Sequence, residues 1–162
     1  MIARLDEIAA QIGNLRPAYA AIGEALAEST KDRFSSSTGP DGERWAPLAQ
    51  ATVLGRLDKT KGAYTKKSGK LSKKGLSAVI GMRPLVDTGV LQDTITWQAD
   101  ATSAQIGTNR FAGEWDAGAA VHQFGSRDGT IPARPFLCVS AQDEATILDI
   151  LDTFLRSTIG GR

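Results

Sequence analysis

The amino-acid sequence predicts an α+β fold, in which helices at both ends of the chain pack on a small, mainly antiparallel β-sheet. Apolar residues recur at helical spacing near both termini. The middle of the chain instead holds a segment rich in β-branched and aromatic residues, followed by a second short apolar run across a polar turn. The 162 residues are 41% hydrophobic and 23% charged. This composition suits one soluble domain spanning residues 1–162.

The N-terminal region is predicted to be helical. Its first apolar stripe consists of Ile2, Leu5, Ile8, Ile12 and Leu15. Pro17 interrupts this stripe and is suited to the first turn of a second helix, where its missing N–H costs nothing. The apolar pattern resumes in that second helix with Tyr19, Ile22, Leu26 and Phe34. We expect the helical region to end near Phe34.

A loop is expected over residues 35–42, since Pro40, Asp41 and Gly42 supply turn chemistry. After the loop, Trp45, Pro47 and Leu48 are expected to anchor the chain to the core. A short helix through Thr52, Val53 and Leu57 then follows.

The most unusual segment is basic. Residues 56–75 hold eight Lys or Arg against Asp58 alone, a net charge of +7, so the rest of the chain carries −6. Residues 58–75 contain few apolar side chains to offset the entropy of ordering them, which predicts a long mobile loop within the domain. The lysines concerned are Lys59, Lys61, Lys66, Lys67, Lys70, Lys73 and Lys74.

Three roles remain open for this segment. It can be a solvated insertion, it can neutralise DNA phosphates without reading their sequence, or it can contact an acidic protein surface in an assembly. Tyr64 is its one aromatic residue, so it offers no stacking platform for bases.

The central region is predicted to form a hairpin. Residues 76–80 fit either a short helix or a strand, and residues 85–91 are expected to lead the chain into a strand. Residues 94–99 and 104–108 are the expected antiparallel pair. Residues 115–124 are then predicted to form a short helix that Gly125 ends.

The C-terminal region begins with a polar turn at residues 126–130. Pro132 and Pro135 keep residues 131–138 extended, because a proline disfavours helical geometry in the residue before it. Ser140 and Asp143 then resemble a capping box at the start of the last helix. Its predicted apolar face consists of Ile147, Leu148, Leu151, Phe154 and Leu155, and its predicted end is Gly160-Gly161.

Two acidic residues of that helix, Asp149 and Asp152, are spaced to share a face. This face fits either a solvated surface or one that meets a basic surface on a neighbouring subunit.

Catalysis would have to begin at His122, the one histidine, and Cys138, the one cysteine. They are too few for a zinc site, and no nucleophile motif or phosphate-binding glycine loop is present, so no cofactor is expected. We expect His122 to pack its ring and to bond a backbone group. We expect Cys138 to behave as a small buried hydrophobe. An enzyme built on this pair is the weakest of the hypotheses.

Internal disulfides are excluded by the single cysteine, which fits synthesis in a reducing cytoplasm. We expect no signal peptide, because the N-terminus carries Asp6 and Glu7 and lacks a basic segment followed by an apolar core. We also expect no membrane span, because no apolar run is long enough.

Several stretches, in this order along the chain, resemble the phage virion morphogenesis family, the tail completion proteins of Mu-like and related tailed phages. The stretches that carry the resemblance are Phe34 with residues 40–48, Asp87-Thr88-Gly89-x-Leu91 with Thr94-Ile95, Ile106-Gly107-Thr108, residues 121–125 and residues 131–137.

The resemblance implies a non-enzymatic structural protein of phage virion assembly, a tail completion or terminator protein or a head–tail connector (neck) subunit. It implies a homo-oligomer, with a hexameric ring suspected, that contacts other head–tail junction or tail proteins. The protein would be a virion component, of a phage or an integrated prophage, assembled in the cytoplasm of the bacterial host.

Two sets of contact residues are expected. The seven lysines named above would contact DNA in a channel or a protein partner. The second set, expected to form a subunit interface or to support the fold, consists of His122, Phe124, Pro132, Arg134, Pro135 and Phe136. The alternative function is a small nucleic-acid-binding module that uses the lysine-rich segment.

Overall fold

The computed structural model of the protein describes residues 13–59, 64, 70–110 and 118–160. In chain order its elements are α1 (Arg16–Ser36), α2 (Gln50–Lys59), α3 (Lys73–Ile80), α4 (Val90–Asp93), β1 (Ile95–Ala99), β2 (Ala104–Thr108), α5 (Gly118–Phe124) and α6 (Ala141–Gly160). Helices at both ends pack with a two-stranded antiparallel sheet, which confirms the predicted α+β class.

Helix α1 forms the centre of the fold and packs against both strands and against α6. Pro17 lies in its first turn, as predicted, and the helix ends at Ser36, two residues beyond the predicted Phe34. The first apolar stripe predicted for the N-terminus lies almost wholly outside the described residues.

The hairpin confirms the predicted antiparallel pair, with Ile95 opposite Thr108 and Ala99 opposite Ala104. Its turn is organised by Asp100, whose Oδ1 accepts hydrogen bonds from the backbone N–H groups of Thr102 and Ser103. Trp97 of β1 lies against α1 at Gly23, where an added Cβ would lie 2.7 Å from the indole ring.

Phe34, Trp45 and Phe136 form the aromatic centre of the core. Phe34 and Phe136 are fully buried, and the ring centroid of Phe34 lies 5.5 Å from that of Trp45 and 5.4 Å from that of Phe136. Trp45 therefore anchors the loop as predicted, whereas Pro47 is exposed.

The path from residue 85 to β1 differs from the prediction, because a short helix lies between the turn and the strand. Leu85 and Gly89 both have positive φ, 60° and 85°, and together they redirect the chain so that α4 begins at Val90. The strand begins only at Ile95.

The boundaries predicted for the lysine-rich loop, 58–75, were too wide. Helix α2 continues through Lys59, and α3 begins at Lys73 because Ser72 caps it by accepting a hydrogen bond from the Gly75 N–H at 3.1 Å. Residues 76–80 are therefore helical. Lys61, Lys66 and Lys67 lie outside the described residues.

The last helix has the predicted start and end. Ser140 and Asp143 form the predicted reciprocal cap, and the helix ends at Gly160. The predicted apolar face was partly wrong, because Leu148 and Leu155 are exposed. At about 100° per residue, Ile147, Leu151 and Phe154 cluster on the side that faces α1, whereas Leu148 and Leu155 lie about a quarter-turn away from that side and are exposed.

Cys138 was also placed wrongly, since it is exposed rather than buried. Within the part of the chain that the structure describes, no helix combines the length and apolar character that crossing a bilayer requires.

Candidate interaction groove

An open groove of about 670 Å³ lies between α2, the turn that precedes α4, α5 and residues 130–134. Its walls are largely apolar. Among the described residues that line it, four are cationic (Arg56, Lys59, Arg110 and Arg134) and one is a carboxylate, Asp87. We call this site the basic groove.

Arg134 is the most buried cation of the basic groove, with 6% of its surface exposed. Its Nε donates to the carbonyl of Ala46 at 2.8 Å, and its Nη2 donates to the carbonyl of Pro47 at 2.9 Å. Burial, and secondarily the charge of Arg56, lowers the pKa of Arg134 below its ordinary value. Arg134 forms no ion pair with a carboxylate among the described residues.

Arg56 and Lys59, one turn apart on α2, share Asp87, the one carboxylate among the described residues that line the groove. Their side-chain nitrogens lie 3.3 Å and 3.5 Å from the oxygens of Asp87. Arg56 also donates to the carbonyls of Arg83 and Val86, so it fixes the turn before α4. Lys59 is 74% exposed and remains accessible from the groove mouth.

His122 is half-buried and forms part of the groove wall on α5. Its backbone carbonyl accepts a hydrogen bond from the backbone N–H of Arg134 at 2.8 Å, which ties α5 to residues 131–138, here called the proline segment. Among the described residues, no three His, Cys, Asp or Glu side chains are arranged to hold a metal ion.

The proline segment is held by side chains on both flanks. Trp45 Nε1 donates to the carbonyl of Pro135 at 2.9 Å. Arg33 donates to the carbonyls of Phe136 and Cys138, at 2.8 Å and 2.7 Å. These hydrogen bonds pair the carbonyls of Pro135, Phe136 and Cys138 within the chain.

Gln123 completes this arrangement. Its Nε2 donates to the Leu137 carbonyl at 2.9 Å, and its Oε1 accepts from the N–H groups of Phe136 and Leu137. Sequence reasoning missed both Gln123 and Arg33. The only local signal for Gln123 was its place in a stretch that the resemblance had already selected.

The predicted contact residues are thus divided by the fold. His122, Pro132, Arg134 and Lys59 meet in the basic groove, whereas Phe136 lies in the core. Phe124 is 79% exposed and Pro135 is exposed, and neither lines the groove.

The other described lysines of the predicted contact set, Lys70, Lys73 and Lys74, are exposed near α3. The Nζ of Lys74 lies 5.2 Å from the ring centroid of Tyr64.

Comparison of the sequence with models of protein families agrees with the resemblance seen in its motifs. The model of the phage virion morphogenesis family matches residues 2–156, nearly the whole chain. The chain belongs to the phage virion morphogenesis family.

This virion morphogenesis protein is similar to the Mu-like prophage FluMu G protein 2 of Haemophilus influenzae. The two are 47% identical over 77 residues, which cover 44% of this chain and 51% of the relative. The alignment thus spans about half of the relative's length. No solved structure matches the chain significantly.

Proposed function

We propose that the protein is a non-enzymatic structural subunit that completes the phage tail or joins it to the head, and that it works as a homo-oligomeric ring in the virion. The observation that carries this proposal is membership of the virion morphogenesis family across residues 2–156. The similarity to a Mu-like prophage protein supports a phage or prophage origin and assembly in the bacterial cytoplasm.

The surface of the protein supports a ring. Subunits of a ring contact each other head to tail, so each subunit needs two different adhesive faces. The basic groove is one such face. The outer side of α6, which exposes Leu148 and Ile159, is a second face of different chemistry.

The test is deletion of the gene from the phage or prophage that encodes it, followed by electron microscopy of the induced lysate. We expect filled heads and complete-length tails that remain unjoined, and we expect the wild-type gene in trans to restore joined particles. Normal infectious particles from the deletion strain would refute the proposal.

DNA binding is the second candidate function. It is favoured by the exposed lysines near α3, which include Lys70, Lys73 and Lys74. It predicts that the purified protein binds duplex DNA with an affinity that falls steeply as salt rises. Charge reversal at Lys66, Lys67, Lys70, Lys73 and Lys74 should then abolish binding and impair particle assembly. Unchanged assembly in that variant would exclude this role for the segment.

A further inference from the structure

The outer side of α6, the flank about a quarter-turn from its core-facing side, carries an exposed apolar stripe. Leu148, Leu155 and Ile159 are 67%, 38% and 60% exposed, and their spacing places them on one side of the helix together with Asp152. Positions 148–159 extend about 16 Å along the helix axis. We call these four residues the outer stripe.

The outer stripe has an acidic border. Glu144 and Asp149 flank it and are exposed, and Asp152 within it is 56% exposed. Arg156, which pairs with Asp152 at 2.6 Å, is the one basic residue of α6. The outer side of α6 is therefore an apolar surface with net negative charge.

The basic groove has the complementary character. Its walls include the apolar side chains of Leu48, Val90 and Ile131, and among the described residues that line it four are cations and one is a carboxylate. The guanidinium of Arg134 is bonded to backbone carbonyls and not to a described carboxylate. The basic groove is therefore complementary to an apolar, acidic helix face, as in other helix-in-groove contacts.

From this complementarity we infer that the outer stripe of one copy of this chain docks in the basic groove of the next copy. The inference rests on the proposed structural function and specifies its subunit contact. The leucine and isoleucine side chains enter between α2 and α5. Asp149 and Asp152 meet Lys59 and the groove arginines. Because the two surfaces differ, the contact is heterologous and repeats from copy to copy.

Two exposed positions allow each surface to be blocked separately. An added Cβ at Gly55, which lines the groove on α2, would meet nothing within 4 Å, so Gly55→Trp fills the groove without disturbing the core. Leu148→Lys removes the most exposed apolar side chain of the stripe and adds a positive charge to this acidic surface. Each variant retains one intact surface.

The experiment is sedimentation velocity or native mass spectrometry of the full chain. The wild type should form oligomers, and each variant alone should be monomeric, with self-association weakened at least about tenfold. An equimolar mixture of the two variants should form dimers of one copy of each and nothing larger. Those dimers would also show that both variants are folded.

A charge exchange provides the matched control. Lys59→Glu should weaken association and Asp149→Lys in the same chain should restore it, whereas Lys73→Glu and Glu24→Lys, at exposed positions outside both surfaces, should have no effect. Wild-type protein that stays monomeric, variants that associate normally, or a mixture without mixed dimers would each overturn the inference. If gene deletion still blocks assembly in that case, the proposed function stands and only this contact is wrong.

Discussion

Arg33 and Asp143, 110 residues apart in the chain, form a buried ion pair with 2.5 Å between Nη2 and Oδ2. The same Arg33 side chain holds the carbonyls of Phe136 and Cys138, and the same carboxylate oxygen caps α6 through Ser140. One guanidinium therefore joins α1, the proline segment and the start of α6. The orientation of α6, and hence of its outer stripe, depends on this pair.

Removal of either partner should destabilise the protein strongly. Arg33→Met leaves the buried Asp143 carboxylate without its counter-charge and the carbonyls of Phe136 and Cys138 without their Arg33 donor. Asp143→Asn leaves the buried Arg33 cation without its counter-charge. We expect each to lower the free energy of unfolding by about 3–5 kcal/mol, measured by urea denaturation. The control is Arg156→Met, which breaks the exposed pair with Asp152 and should change stability little. If Arg156→Met lowered the free energy of unfolding as much as Arg33→Met, the structural role assigned to the Arg33–Asp143 pair would be contradicted.

The free energy of unfolding should decrease at low pH. Burial alone would raise the pKa of Asp143, but hydrogen bonds from Ser29 and Ser140 and the charge of Arg33 lower it below its ordinary value. Hydrogen bonds from Thr102 and Ser103 lower the pKa of Asp100 to about 2. A carboxyl with a lowered folded pKa contributes stability above its unfolded pKa, and this contribution is lost as pH falls through the folded value.

The window for this loss is therefore from about pH 4 down to about pH 2. The urea midpoint should decrease across it. The decrease should be smaller in Asp100→Asn, which keeps an acceptor in the turn but cannot titrate. A wild-type midpoint that is constant over this range would refute the pKa assignments.

Substitution by alanine should have opposite effects on stability at two helical glycines, Gly23 and Gly55. At Gly23 an added Cβ would lie 2.7 Å from the Trp97 ring, so Gly23→Ala forces α1 and β1 apart and should cost about 1–3 kcal/mol. At Gly55 the added Cβ has open space, and Gly55→Ala should be neutral or stabilising by up to about 1 kcal/mol, because alanine favours helix. Thermal denaturation of both variants checks the pair. A Gly23→Ala variant as stable as the wild type would show that the contact is not tight.

Gln123 should be necessary for the order of the proline segment. Gln123→Met keeps the size of the side chain and removes the three hydrogen bonds to Phe136 and Leu137. We expect a loss of about 1–3 kcal/mol and faster amide hydrogen exchange at Phe136 and Leu137. Gln98→Met, at an exposed strand position, is the matched control and should change stability by less than about 0.5 kcal/mol. Unchanged exchange at Phe136 would contradict this role.

Features of the fold that depend on neighbouring residues were predictable from the sequence. Pro17 marks the start of α1, Gly125 ends α5 with φ of 83°, and Ser140 with Asp143 caps α6. The hairpin followed from two β-rich runs and the polar turn between them. In each case the chemistry that fixes the element lies within a few residues of it.

Features that depend on distant residues were not predictable. Arg33 meets its partners more than 100 residues along the chain, and nothing near it indicates that a basic residue of an amphipathic helix is buried. The positive φ of Leu85, which delays β1, has no local sequence signal either. Leu148 and Leu155 were assigned to the core face because the apolar residues of α6 extend beyond its core-facing side.

The sequence singled out several residues of the basic groove separately, but it did not predict that they line one groove. The resemblance selected His122, Pro132 and Arg134, and the charge distribution selected Lys59. Their meeting in one groove with Arg56 and Asp87 depends on how α2 packs against α5 and the proline segment.

We propose that this protein acts as a structural subunit at the end of virion assembly. The most direct measurement adds purified protein to a lysate from the deletion strain and counts infectious particles. We predict that wild-type protein restores infectivity, that Gly55→Trp or Leu148→Lys alone does not, and that an exposed control such as Glu24→Lys does. An untreated deletion lysate with normal infectivity would show that the protein does not have this role.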